Sequence, residues 1–381
     1  MIYVVKSGDS LYSISREFGV SVEQITFDNQ LYGQRHLVPG QALLISVSPS
    51  QPEIKQLFVA GYAYPFINQE VLQEALEHID RLLIFSYGFT PDGDLIPPRL
   101  DDLPLIEQAW QTGVTPYLVL TPFGADERFN NNLVTLAAQD MDMQNRLIEN
   151  ILFTVSERGY GGVDVDFEYI LAQDREAYAA FVGNLRARLA EYGYGVSVAL
   201  APKISANQPG LLYEGMDYRL LGENADEVFL MTYEWGYTYG PPMAVAPINK
   251  VREVVEYAVS EIPVEKILMG IPNYAYDWPL PFVQGTTAAR ILGNVEAVNL
   301  AAANNAEILF DEVAMSPYFY YQSNGILHVV WFEDVRSMQA KFRLANEYNL
   351  QGIGYWNIMR PFRANWLLLE RMEGGSTVTY Y

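Results

Sequence analysis

Nine residues carry the clearest chemical signal in the chain: Gly161-Gly162-Val163-Asp164-Val165-Asp166-Phe167-Glu168-Tyr169, with a carboxylate at every second position from Asp164. Side chains of a strand alternate between its faces, so this spacing predicts a strand with Asp164, Asp166 and Glu168 on one side and Val163, Val165 and Phe167 on the other. Neighbouring carboxylates and burial both raise a carboxyl pKa. At least one of the three is therefore expected to keep its proton near neutral pH, which is what a general acid requires. The plain alternative is an edge strand with a solvated acidic face, and the flanks speak against it. Upstream, Leu147, Ile148, Ile151, Leu152 and Val155 recur at helical spacing, and Gly159 stands where that helix would close in a left-handed residue. Downstream, Tyr178, Phe181, Val182, Leu185 and Leu189 form a second stripe. Helix, strand, helix predicts a parallel strand covered on its outer side, its acidic face turned into a barrel or cleft.

The elements that must position these carboxylates belong to a chain of 381 residues, long enough for one large domain and a small one. Its 24 basic and 46 acidic residues leave a formal charge of -22, which disfavours nucleic acid and anionic lipid and favours neutral or cationic partners. Without cysteine there are no disulfides, thiol nucleophiles or thiolate metal sites. His36, His78 and His328 are scattered, which argues against a zinc or triad enzyme. Paired acids can hold magnesium or calcium, but neither a metal nor another cofactor is expected here. The apolar stretch Ile2 to Val5 is too short for a signal-peptide core, and no run approaches the roughly 20 residues that span a bilayer. The expectation is a protein without a cleavable signal peptide and without membrane insertion.

Residues 1–47 read as a unit of their own with strand, helix, helix, strand order. Leu11, Ile14 and Phe18 form the first helical stripe with Gly19 at its end, Ser21 and Gln24 form a capping-box pattern, and Pro39-Gly40 turns the chain into a closing strand from Ala42 to Ile45. Gly8-Asp9-Ser10-Leu11, Ile14, Asn29, Leu31 and Leu37-Val38-Pro39-Gly40-Gln41 together resemble a LysM module. That resemblance implies binding of N-acetylglucosamine-containing glycans, such as peptidoglycan or chitin, through Gly8, Asp9 and Ser10 in one loop and Asn29, Gln30 and Leu31 in another. Several of these residue types also serve simply as turns and caps. Residues 48–56 begin Ser-Pro-Ser-Gln-Pro and read as a linker.

From residue 57 to 373, eight β-rich runs alternate with amphipathic segments: Leu57 to Tyr64, Leu82 to Gly88, Val114 to Thr121, Gly161 to Glu168, Val196 to Ala201, Glu227 to Glu234, Ile267 to Asn273 and Gly352 to Trp356. The pattern predicts an α/β protein, a (β/α)8 TIM barrel. The longest interval precedes the last strand, where residues near 279–330 are expected to form a small inserted lobe walling one side of the cleft. Residues 374–381 read as a loose tail. In such barrels the active site lies at the C-terminal strand ends, where Glu168, Glu234 and Trp356 all fall.

The segment Gly162 to Glu168 resembles the DxxDxDxE signature of family 18 glycoside hydrolases. Carried over by position, the resemblance implies that Glu168 protonates the glycosidic oxygen, Asp166 orients the substrate acetamido group and Asp164 is a buried carboxylate sharing charge with Asp166. Gly161 stands where the family has its first Asp. Met231-Thr232-Tyr233-Glu234 is similar to the family's Met-x-Tyr-Asp, which implies that Tyr233 bonds the acetamido carbonyl, with Glu234 in place of Asp. Trp356 resembles the tryptophan flooring the subsite of the reacting sugar. Met231, Glu234, Trp235 and, on the first strand, Tyr62 complete the candidate substrate-binding set. Thr121-Pro122-Phe123-Gly124 on the third strand lacks the serine–glycine pattern common in chitinases. With the LysM module, Asp166-Phe167-Glu168-Tyr169 and Met231 to Tyr237 resemble the spore cortex-lytic N-acetylglucosaminidases of endospore-forming bacteria. The likeness implies a retaining, substrate-assisted enzyme of the spore coat or cortex layer that cleaves after N-acetylglucosamine. A chitin-oligosaccharide hydrolase and a catalytically weak glycan-binding protein are the alternatives on the same scaffold.

Overall fold

The computed structural model describes residues 1–34, 36–47, 52–124 and 128–374; residues 48–51 of the expected linker and 375–381 of the expected tail lie outside them. Eight parallel strands close into a barrel in the order of the chain: Phe58–Ala63, Arg81–Phe89, Thr115–Leu120, Gly162–Val165, Gly195–Leu200, Glu227–Leu230, Ile267–Pro272 and Gly352–Trp356, the last pairing with the first. Closure removes both sheet edges, and the strands' apolar side chains join one continuous core with the surrounding helices. The helices flanking the acidic strand have the expected local causes. Asp140 caps Met141–Arg158 by accepting from the amides of Asp142 and Met143, and Gly159 ends it at φ 83°. Arg175–Ala190 buries Tyr178, Phe181, Val182, Leu185 and Leu189.

Two predicted strands stop several residues short of their residue patterns. The fourth ends at Val165 and the sixth at Leu230, so Asp166, Glu168, Tyr233 and Glu234 stand on the loops beyond. On one side the partner runs out: Val165 lies opposite Leu120 and Val198, and the third strand ends at Leu120 while the fifth continues to Leu200. One further ladder bond, from the Asp166 amide to the Leu120 carbonyl at 2.9 Å, carries the strand direction up to the first cleft carboxylate.

The insertion is broader than the expected 279–330. It is a five-stranded antiparallel sheet running from Ala275 to Trp331, with the helix Asn294–Ala303 packed on it.

The N-terminal module pairs Ile2–Val4 with Ala42–Leu44 around the helices Leu11–Phe18 and Val22–Asp28. The capping box forms at Ser10 with Ser13. At Ser21 only half of the expected box appears, since Gln24 sends its side chain to Asp28 instead. The module is seated on the insertion and on the last two helices, Val335–Glu347 and Arg363–Met372. Val38 joins the core of the insertion and Leu44 that of the barrel. Arg336, Arg363 and Arg371 donate to the carbonyls of Gly40, Phe27 and Ile45 at 3.1, 3.2 and 3.1 Å, and the Ile308 amide donates to Pro39 at 3.0 Å. Pro52 to Gln56 runs along the barrel, with the amides of Glu53 and Ile54 donating to the carbonyl of Met372.

Candidate active site

A cleft of about 1230 Å³ opens at the C-terminal ends of the barrel strands, and Asp166, Glu168, Tyr233, Glu234, Met231 and Trp356 all line it. Asp164 lies one layer deeper, fully buried, with both oxygens satisfied. The Tyr62 hydroxyl donates to Oδ2 and the Ser197 hydroxyl to Oδ1, each at 2.6 Å. Burial raises its pKa and these two hydrogen bonds oppose the rise. Asp166 has the opposite circumstances. It is buried, its Oδ1 has no partner, and its pKa is held well above the ordinary value by burial first, then by the charges of Glu168 and Asp164. Asp166 is thus the member of the row whose protonated form is most favoured by its surroundings, and it lines the cleft with one buried oxygen unbonded.

Glu168 is pushed up to about 7, by burial first and by the charge of Glu234 second. A carboxyl with that pKa can both give and take a proton near neutrality. Tyr169, immediately after it, and Glu234 across the cleft are non-glycine residues in the left-handed region, at φ 56° and 67°. Such conformations cost about 1–3 kcal/mol each and persist where surrounding structure imposes them. Trp356 lines the cleft edge-on to Tyr62 and Phe85, at 5.3 and 5.2 Å between ring centres. Phe66, stacked on Tyr64 at 5.1 Å, and Tyr237 extend the aromatic surface along the cleft and are exposed. Flat aromatic faces beside a few convergent polar groups suit pyranose rings.

The structure withdraws one expected cleft residue. Trp235 packs against the barrel core and is not among the cleft-lining residues, because the left-handed turn at Glu234 sends the chain back to pair with Val245. The insertion is corrected too: among the described residues none of Ala275 to Trp331 lines the cleft, and the insertion meets the site through the hydroxyls of Tyr274 and Tyr276 on Glu234. Gly161 has a steric reason, since a Cβ there would stand 2.4 Å from Cγ2 of Thr115, leaving no room for the family's first aspartate. Ser197 was missed, although a lone hydroxyl in the apolar run Val196 to Ala201 was a readable signal. Tyr213, Phe123 and Phe129 also line the cleft from loops whose course no periodicity encodes.

In the N-terminal module, the first loop is a turn: Asp9 accepts from the Tyr3 hydroxyl and the Lys6 amide at 2.7 and 2.8 Å, Gly8 has φ 92° and Ser10 caps the helix. In the second loop, Asn29 is tied to the backbone of Ile25 and Leu44, and Leu31 is buried in the module core. Gln30, at φ 53°, accepts from the Arg363 amide at 2.8 Å. These polar groups are engaged within the protein, while the neighbouring Tyr12 and Tyr32 are both 70% exposed.

The barrel, the acidic strand end and the aromatic cleft are those of a glycoside hydrolase, and the chain belongs to the glycosyl hydrolases family 18, whose sequence profile matches residues 119–360, with a LysM domain matching residues 3–46. It is 39% identical to the cortical fragment-lytic enzyme of Bacillus subtilis, with 97% of each chain covered. Among solved structures, it is similar to the spore cortex-lytic enzyme SleL of Bacillus cereus, at 34% identity, TM-score 0.92 and 99% of each chain. The chitinase of Chromobacterium violaceum, at 22% identity and TM-score 0.77, shares the barrel fold over 83% of this chain.

Proposed function

We propose that this hydrolase is a retaining N-acetylglucosaminidase that cleaves β-1,4 bonds after N-acetylglucosamine in spore cortex peptidoglycan or its fragments, with the substrate's own 2-acetamido oxygen as nucleophile. A retaining glycosidase of the usual sort sets a second carboxylate about 5 Å from the acid to attack the anomeric carbon; family 18 is an exception in which the substrate assists. The observation that carries the reading is Asp166, buried, lining the cleft and unbonded at Oδ1 beside the acid, with burial and the charges of Glu168 and Asp164 raising its pKa. A carboxyl in that state suits the N–H of an acetamido group, which it would hold while its carbonyl oxygen closes on the anomeric carbon. Glu168 then protonates the leaving oxygen, and Tyr233 bonds the acetamido carbonyl. Departure of the leaving sugar produces an oxazolinium ion, and water activated by Glu168 opens it with net retention. Cortex as substrate is supported by the near full-length likeness to cortex-lytic relatives.

Mass spectrometry of products from spore cortex muropeptides, wild type beside Glu168→Gln, tests the reading. New reducing-end N-acetylglucosamine made by wild type alone is expected. A glucosamine-only oligomer must remain intact, because it lacks the nucleophile; its cleavage would refute substrate assistance.

A further inference from the structure

Glu234 stands where the family pattern has an aspartate, and its longer side chain must be held if it is to act as a fixed charge. The Tyr274 hydroxyl donates to Oε1 at 2.5 Å and the Tyr276 hydroxyl donates to the same oxygen at 2.9 Å. Both tyrosines are buried at the start of the inserted sheet. Their rings meet edge to face at 5.6 Å, and Tyr276 leans on Trp278 at 5.4 Å. Trp278, fully buried, donates its indole N–H to the Gly240 carbonyl at 2.9 Å, closing the arrangement back onto the loop that carries Glu234. The carboxylate is therefore held from the inserted sheet at the point where Glu234 borders the cleft.

We propose that Tyr274 and Tyr276 are positioning residues of the hydrolase: their hydroxyls hold the Glu234 carboxylate in place opposite Glu168, so that the inserted sheet sets the pH range over which the acid works. The proposal rests on Glu168 being the acid. The groups facing Glu168 are Asp166 on its own segment, Glu234 on the loop after the sixth strand, and the tyrosines Tyr169 and Tyr233, while Tyr213 and Tyr237 face Tyr169 in the same cleft. Those facing Glu234 are Glu168, Tyr233, Tyr274 and Tyr276. Burial raises the pKa of Glu234, and the two hydroxyls oppose that rise. With both hydroxyls removed, Glu234 takes up a proton more readily, its charge beside Glu168 is lost, and Glu168 gives up its own proton at lower pH.

The test is the pH dependence of kcat/KM on soluble muropeptides for the full chain, comparing wild type, Tyr274→Phe/Tyr276→Phe, Glu234→Gln and the triple variant. The double variant should move the alkaline limb to lower pH by on the order of half to one unit, the scale of one nearby charge at intermediate dielectric. Glu234→Gln should move it at least as far, and the tyrosine changes should add nothing on that background. A loss uniform in pH, or a further displacement in the triple variant, would overturn the proposal. The carboxyl 13C titration of Glu168, assigned with Glu168→Gln in glutamate-labelled protein, reads the same displacement without turnover. An inactive wild type whose Glu168 titration falls on removal of the hydroxyls would sink the proposed reaction and leave the clamp standing; an active one whose titration is unmoved would sink the clamp alone.

Discussion

Replacing the acid should stabilise the folded protein, by an amount that depends on pH. In Glu168→Gln the side chain keeps its shape and loses its ionisation. Glu168 is raised from 4.5 to about 7 in the folded chain, a rise that corresponds to about 3 kcal/mol between its two protonation states. Folded protein binds this proton more tightly than unfolded protein does, so the ionised form opposes folding. The penalty is absent below the unfolded pKa, grows as pH rises from about 4.5 and is complete above about 7. Sharing of charge with Asp166 makes about 3 kcal/mol a ceiling. For 381 residues unfolding as one body, that ceiling is about 4 °C in melting temperature. Calorimetry of both proteins from pH 4.5 to 8.5 should show equal melting temperatures at the acid end and the variant higher by up to about 4 °C at the alkaline end. Turnover should fall by on the order of a hundredfold or more, the scale of a lost general acid. A difference that does not change with pH, or a variant less stable at pH 8, would refute the argument that burial and Glu234 force a proton onto this carboxyl.

Wild-type kcat/KM should decline as pH rises through about 7, when Glu168 loses its proton; a profile flat to pH 9 would contradict its role. Ser197→Ala removes one of the two hydroxyls bonded to buried Asp164, which should cost about 1–3 kcal/mol in urea denaturation and lower turnover, whereas unchanged stability would mean that water replaces the hydroxyl. Gly40→Ala places a Cβ 1.8 Å from the Ile308 carbonyl at φ 82°, so the seam between module and insertion must open; faster proteolytic release of the module is expected, and unaltered resistance would argue against the seating. Deleting residues 1–47 should impair action on whole cortex more than on soluble fragments if the module concentrates the enzyme on glycan. It should also lower the melting temperature, because Val38 and Leu44 leave apolar partners uncovered. Equal loss on both substrates would assign the module to stability alone.

Much of this molecule is written in local pattern. The alternation from Val163 to Glu168 announced one acidic face, the helical stripes on both sides announced covering helices, and eight β-rich runs announced a barrel, because a side chain's face follows from its position along a strand or helix and needs no distant partner. The family could be read from the same residues, since the acid and its neighbours lie within one strand end. What the residues could not announce were contacts made only once the barrel closes. Tyr62 reaches Asp164 from 102 positions away and Ser197 from 33, and the hydroxyls on Glu234 come from the start of an inserted sheet that begins before the expected 279. The withdrawal of Trp235 hangs on a single left-handed residue before it, and the seating of the module on Arg336, Arg363 and Arg371 belongs to surfaces that meet only in the folded chain. By itself, the sequence determined which residues could do the chemistry and which face they share. The tertiary structure decided which carboxylate is satisfied, which is buried without a partner and which is bonded by two hydroxyls of the inserted sheet, because burial and hydrogen-bonding partners are set by chain closure and in turn shift each carboxyl pKa.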